Sequence, residues 1–422
     1  MGERTGVTVA QETSLLRQRN FRTYFAGQAV AMMGTAVVPV AMGLVAVVTL
    51  HANGLAASIV SASSMLPALL LTLPIGAVVD RVDKRRIMMW ADVGQGVAIL
   101  AVPLLWWSGA LSIPTLCVTG FVSTGFGIVS QVAHLSLTPH LVTNAQLIDA
   151  NAKLSLADSA ATTTGPMIAG FLVGRLGAPV TLGLGVLASF YSAFTLTRIS
   201  SREQRPDGPV ERATLRKDIA EGLRFVGRNV VLRVLMIVNS VDNFFIFWIQ
   251  AVLVVYLVGA LHWSPAAYGL VMGIAGLGGI LGSLLVKRLH SALGTGKLLV
   301  AAVFFGGPCE AVVLLLSPGL AGQVLTCAAQ CLAIFSTVCY NVTSRTLRQH
   351  ESPDGLRSRI TAAHRWVGSG LRPLGAVMGG VSTSVFGLYA GIAIGCVGLA
   401  IAPAVAWFSP LRHTDLTEAG KS

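Results

Sequence analysis

Residues 76–86 read Gly76-Ala77-Val78-Val79-Asp80-Arg81-Val82-Asp83-Lys84-Arg85-Arg86. Basic and acidic side chains crowd together here between two long apolar runs, 55–79 and 87–107. A helix needs about 20 apolar residues to cross a bilayer, and both runs are that long. Lys and Arg are retained on the cytoplasmic side of short loops, so this knot marks a cytoplasmic turn. The same pattern continues outward in both directions. Further apolar runs occur at 23–50, 112–137, 152–174, 178–197, 234–258, 264–286, 298–317, 321–341, 364–385 and 387–408. The twelve runs predict an all-α integral membrane protein of twelve transmembrane helices.

The loops test that count. Arg4, Arg17, Arg19 and Arg22 precede the first run, and Arg198 through Arg228 fill the long sixth gap. Lys287, Arg288 and Lys297 occupy the eighth gap, and Arg357 and Arg359 the tenth. Among the odd-numbered gaps only Arg175, near the fifth, breaks the rule. This alternation predicts a multi-pass protein of the cell (plasma or inner) membrane with both termini cytoplasmic. Composition agrees: 54% of the residues are hydrophobic and 11% charged, where a soluble domain carries about 25% charged residues. The net charge of +12 belongs to the cytoplasmic loops, so no nucleic-acid partner is expected. Lipid is the expected solvent of the outer surface. The N-terminal tail is polar and the first run lacks a small-residue cleavage site, so that run is expected to remain as a spanning helix.

The sixth gap divides the chain: a cytoplasmic tail 1–22, a six-helix half 23–197, a linker 198–230, a second half 231–409 and a cytoplasmic tail 410–422. Within the linker, Leu215, Ile219, Leu223 and Val226 recur at helical spacing among Arg216, Lys217, Arg224 and Arg228. This predicts an amphipathic helix on the cytoplasmic membrane face or a solvated linker helix. The halves echo one another: a polar gap leads into Gly165-Pro166 in the fifth run, and another into Arg372-Pro373 in the eleventh. Internal repeats of this kind are typical of secondary transporters.

The 76–86 string resembles the signature of the major facilitator superfamily: a glycine, Asp-Arg, then a basic cluster, in the loop after the second helix. Arg19-Asn20-Phe21-Arg22, Gly27-Gln28, Ile219 through Phe225 and Pro353-Asp354 through Arg359 resemble its macrolide-efflux and enterobactin-exporter branch. Asp83 stands where most members have glycine. The resemblance implies two pseudo-symmetric six-helix bundles around a central cavity, with efflux of an amphipathic small molecule (a drug, an antibiotic or a siderophore-like compound) by alternating access. Proton antiport is the implied drive. The partners are then that substrate, protons and the bilayer, and the chain is expected to act as a monomer. An importer or facilitator, a transport-inactive receptor or scaffold, and a lipid enzyme are the alternatives. No P-loop, metal-ligand set or clustered nucleophile and base is present in the sequence, so neither cofactor nor enzymatic activity is expected. The six cysteines lie in apolar stretches and are read as packing residues.

Candidate residues follow from cost, since an ionisable group inside a membrane is expensive and usually functional. Gly76, Asp80, Arg81, Arg85 and Asp92 form a candidate cytoplasmic latch between the halves, with Asp92 assigned to it by its distance from Arg86 along the helix. Asp242 lies near the bilayer midplane of the seventh helix and leads the proton-coupling candidates. Asp158 follows, with Lys153 as a possible simple partner. Glu310 comes last, because the resemblance puts the ninth helix at the periphery. Asn239, Asn243, Phe247, Gln250, Tyr340 and Arg372 are the candidate cavity residues, with Phe244, Phe245 and Trp248 as further apolar lining. Gly165, Pro166 and Gly170 form a motif expected to bend the fifth helix and pack it tightly, similar to one that antiporters of the superfamily carry there. Two departures from the family stand out: no arginine lies in the fourth run, which has only His134, and no acid lies at Gly34-Thr35-Ala36 of the first.

Overall fold

A computed structural model describes residues 15–79, 82–143, 146–199, 215–315, 319–353 and 356–413. Every regular element among them is helical: α1 (Arg19–Leu44), α2 (Gly54–Val79), α3 (Lys84–Trp107), α4 (Ile113–Leu137), α5 (Leu147–Leu176), a short α6 (Ala178–Thr181), α7 (Gly183–Thr197), α8 (Leu215–Arg228), α9 (Val230–Val254), α10 (Pro265–Leu293), α11 (Thr295–Ala311), α12 (Leu320–Glu351), α13 (Arg357–Phe386), α14 (Leu388–Leu399) and α15 (Ile401–Trp407). Among the described residues, ten helical segments, with α6–α7 and α14–α15 each counted as one, are long and apolar enough to cross a membrane. The two missing from the expected twelve, α5 and α13, are each 30 residues long. They fall short in apolarity because Asp149, Lys153, Asp158 and Arg175 lie on one, and Arg357, Arg359, Arg365 and Arg372 on the other.

Several helices outrun their apolar stretches. α12 continues to Glu351, and α5 and α13 begin at Leu147 and Arg357. An apolar run ends where side chains leave lipid, but the backbone hydrogen-bond ladder has no reason to stop there. Asp83 has a plain local role: its carboxylate accepts the backbone N–H of Arg86 at 2.9 Å and caps α3.

The halves repeat at the level of the backbone. α1 and α9 each end in a π-helical segment, Val45–Thr49 and Val255–Ala260. Each is followed by a histidine with positive φ, His51 at 50° and His262 at 54°. A shift of 210 residues carries Gly109 onto Gly319 and Gly177 onto Gly387, all with positive φ. The same shift carries α5 onto α13. Packing repeats likewise: α1 against α5 and α7, α2 and α7 against α4 and α3 in turn, with α4 on α3, recur as α9 against α13, α14 and α15, α10 against α12, α11 against α14 and α15, and α12 on α11. The register corrects the proline echo. Gly165 corresponds to Gly375, and each lets its helix close on the first helix of its half, at Ala36 and at the Phe244 carbonyl. Pro166 corresponds to Ala376, so the prolines are not equivalent.

The halves meet along two symmetry-related seams, α5 with α10 and α2 with α13. In the first seam Gly170 and Gly269 face each other, and a Cβ on Gly269 would lie 2.7 Å from the Gly170 Cα and closer still to the Pro166 carbonyl. Further along, Gly276 abuts Thr163. In the second, Gly54 meets Thr383, Gly380 meets Ser58, and Gly370 meets Leu69. These contacts lie mainly toward the end of the bundle that carries the 51–53 and 261–264 loops, termed here the distal end. Ala41, Val45, Val60, Ile249, Val254 and Tyr268 join one apolar core across the halves at that end. Residues 15 and 413 lie at the opposite, terminal end.

The linker helix α8 is present, and its described C-terminal part packs on protein. Val226 is buried with Leu232 and Ile360, Glu221 accepts from Arg359 at 2.6 Å, and Gly222 lies against the Arg359 carbonyl.

Candidate functional site

α9 is the organising helix of the second half. Its residues 239, 243 and 247 fall on one face at helical spacing, and the structure brings them together with α13. Asn243 donates to the Asn239 carbonyl at 2.7 Å, and its own side-chain oxygen accepts Nε–H of Arg372 at 2.8 Å. The guanidinium lies over the Phe247 ring, 5.1 Å from its centroid. Gly368 leaves room on α13 for the Asn239 amide. Asn239, Asn243, Phe247 and Arg372 thus form one polar and aromatic wall.

Other expected lining residues lie elsewhere. Tyr340 is buried, and its hydroxyl donates to the Leu235 carbonyl at 3.2 Å, tying α12 to α9. Trp248 is buried with its indole N–H on the Gly391 carbonyl at 2.8 Å, and Phe245 fills the space left by Gly398. Phe244 packs against the core. These aromatic rings are helix cement; their spacing on α9 gave no sign of which face α13 and α14 would occupy.

Asp242 is half-buried on α9, on the side turned toward α12. No hydrogen bond or ion pair reaches its carboxylate among the described residues. Its titratable neighbours are Glu310 on α11 and Tyr340 on α12. Glu310 corrects the expectation that placed it at the periphery. α11 does show Phe304 and Phe305 to the outside, but Glu310 is 3% exposed and accepts from Gln330 of α12 at 2.9 Å. Gln250 of α9 lies beside the same carboxylate. The sequence signal for this node is Gln330, a polar residue in the middle of the 321–341 crossing.

Asp158 does not pair with Lys153, which instead binds Asp149 one turn back. It is exposed, in a stripe with Asn151, Ser155 and Thr162 on α5. Under the 210-residue shift these four correspond to Thr361, Arg365, Gly368 and Arg372 on α13. Both stripes lie opposite the outward apolar faces of their helices, marked by Leu156 and Phe171 on α5 and by Leu374, Met378 and Val385 on α13. The α5 stripe therefore carries one carboxylate, Asp158, and the α13 stripe two guanidinium groups, Arg365 and Arg372. Nearer the terminal end, a cleft of about 580 Å³ opens between α12 and α13, lined by Thr346, Gln349, His350, Arg357 and Thr361.

The latch residues divide. Asp80 and Arg81 lie outside the described residues, and Gly76 is placed on α2. Arg85 donates to the Leu196 and Thr197 carbonyls at 2.7 and 3.3 Å, capping α7 of its own half. Asp92 is 2% exposed and accepts Ser130 of α4 and Ser192 of α7, each at 2.6 Å. Described contacts of Arg85 and Asp92 thus stay within the first half. Asp92→Ala removes two hydrogen bonds to a charged group, worth about 1.5–3 kcal/mol each, and leaves the buried Ser192 hydroxyl without its carboxylate partner. It is expected to lower the unfolding temperature of purified protein markedly, with Asp92→Asn closer to wild type; equal melting of all three would deny the node a structural role.

A family model described as transmembrane secretion effector matches residues 10–422. The chain belongs to this family of the major facilitator superfamily. It is 29% identical over 365 residues to the multidrug efflux pump Tap of Mycobacterium tuberculosis, covering 81% of this chain and 83% of that one. It is 23% identical over 289 residues to the enterobactin exporter EntS of Citrobacter koseri, covering 68% and 66%. Among solved structures, a bacterial homologue of the iron transporter ferroportin in its inward-facing state superposes with a TM-score of 0.75 at 17% identity, over 94% of this chain and 99% of that one. The protein is therefore a multi-pass membrane transporter of the major facilitator fold, and not an enzyme.

Proposed function

We propose that this transporter exports an amphipathic small molecule in exchange for protons. The efflux direction is supported by Tap and EntS. The observation that carries proton coupling is the Asp242 carboxylate, held midway along α9 without a hydrogen-bonding or ionic partner among the described residues and one residue from the Asn243–Arg372 wall. A carboxylate so placed escapes the cost of charge by taking up a proton. Alternating exposure of that group to the two sides, as the halves rock about the seams, exchanges protons for substrate. The test is flux in liposomes of purified protein containing a pH indicator, challenged with a panel of amphipathic drugs under an imposed pH difference. Substrate movement that drives proton movement is expected. Uptake or release indifferent to the pH difference and to an uncoupler would reduce the protein to a facilitator.

The Lys and Arg distribution supports placing the terminal end in the cytoplasm, so the distal seal faces outside and the conformation is inward-open. Cysteines introduced near Ser108 and His262 are then expected to react with an impermeant reagent in intact cells. A cysteine at Arg205 is expected to react only after permeabilisation, and external reaction there would invert the topology. Asp80 and Arg81 remain the proposed latch between the halves, acting beside Gly76 in the opposite conformation.

A further inference from the structure

We infer that Arg372 is an anion-binding residue, and that the transported class is apolar or aromatic molecules carrying a carboxylate or phosphate group. The inference deepens the reading of this interior as a transport pathway and rests on it. Arg372 lies midway along α13, where a crossing helix is deepest in the membrane, and it is exposed on the inward stripe. A cation at that depth is expensive unless water or a counter-charge reaches it. No carboxylate pairs with it among the described residues; its only hydrogen bond there is the one from Nε to Asn243.

That bond decides the geometry. Asn243 is itself tied to Asn239, and Phe247 underlies the guanidinium plane. The Nε edge is thus occupied and the face is stacked, while the terminal amino groups stay open. A guanidinium fixed in this way presents parallel N–H donors, which match the two oxygens of a carboxylate or phosphate. Arg365, two turns along the same stripe, adds positive charge on the approach from the terminal end, and Phe247 offers a ring to an apolar body. Asp158, on the facing stripe of α5, repels an anion and so favours its placement on the α13 wall. A lone structural arginine would be expected to spend its donors on backbone carbonyls, as Arg85 does.

The experiment measures binding, not flux, so it stands or falls independently of coupling and direction. Purified full-length protein is unfolded by heat with millimolar naphthoate, naphthyl phosphate, naphthamide or naphthylmethylammonium. Both anions are expected to raise the unfolding temperature by several degrees over the neutral amide, and the ammonium probe is not. Arg372→Gln is expected to abolish the difference and Arg372→Lys to keep part of it. Should Arg372→Gln fail to purify as a monodisperse protein, Asn243→Ala serves instead. It keeps the charge but frees the fork, and anion affinity should fall about tenfold, the usual loss for a hydrogen bond to a charged group. The proposal is overturned if the anions fail to stabilise the wild type, if the ammonium probe stabilises it equally, or if anion stabilisation survives both Arg372→Gln and Asn243→Ala. If the anions bind as expected but no flux is found, the transport reading fails and the anion site remains.

Discussion

Liposomes carrying Asp242→Asn are expected to lose accumulation of substrate against its gradient while still exchanging it downhill. The amide copies the size and hydrogen bonding of the protonated acid but can never release a proton. One pH unit stores about 1.4 kcal/mol per proton, enough for a roughly tenfold substrate gradient at one proton per cycle. Wild-type vesicles under such a pH difference should approach that ratio, and the variant should remain at equality on both sides. The asparagine also lowers the cost of carrying a polar group through the membrane, so expression and folding should not suffer. Vesicles of the variant that still concentrate substrate would exclude Asp242 as the coupling acid. Glu310 would then be the next residue to change, since it shares the interior of the second half with Asp242. Glu310→Gln keeps the contacts with Gln330 and Gln250, whereas Glu310→Ala would confound coupling with collapse of a buried node.

The sequence made the fold readable because two independent patterns, apolar length and basic loops, had to agree at every crossing. The repeat was readable in outline only. Pro166 and Pro373 are the conspicuous residues, yet the equivalent positions are Gly165 and Gly375, whose shared property is the absence of a side chain where two helices touch. The site split along similar lines. Asn239, Asn243 and Phe247 share a face of α9 at i, i+4 and i+8 whatever surrounds the helix, whereas the sequence reading sets Asn239 and Asn243 beside Asp242 and Gln250 and takes Phe247 only as one of several apolar lining residues. Their partner Arg372 came from a different helix and could only be ranked by its cost in a membrane. Periodicity cannot say which neighbour covers which face, so it does not separate Tyr340 and Trp248, which tie α9 to α12 and α14, from residues of the wall. Glu310 shows the same limit from the opposite side: a peripheral helix still has an inner face.

Alternating access requires the distal seal to open, and the glycine seam between α5 and α10 is where a single change should move that equilibrium furthest. Gly269 admits the Pro166 carbonyl and the Gly170 Cα into the space a side chain would fill. The obstacles are backbone atoms, which cannot rotate aside as a side-chain end would. Gly269→Leu therefore has to separate the helices, and overpacking of this sort costs about 1–3 kcal/mol. The penalty exists only in the distally closed state, so it converts into a population shift of about 5- to 150-fold toward distal opening. A cysteine at Thr162, on the inward stripe of α5, reports the change through its reaction with an impermeant reagent applied from the distal side. Gly174→Leu on α5 is the control, a glycine-to-leucine change on the other helix of the seam where a Cβ meets nothing within 4 Å. Labelling of Cys at position 162 is expected to accelerate with Gly269→Leu and to stay at the wild-type rate with Gly174→Leu. If both leucines leave the rate unchanged, the glycines are ordinary helix spacers and the seal lies in the apolar core around Val254 and Tyr268. If both accelerate it equally, the effect is general loosening of the bundle and the seam has no special hold on the conformational balance.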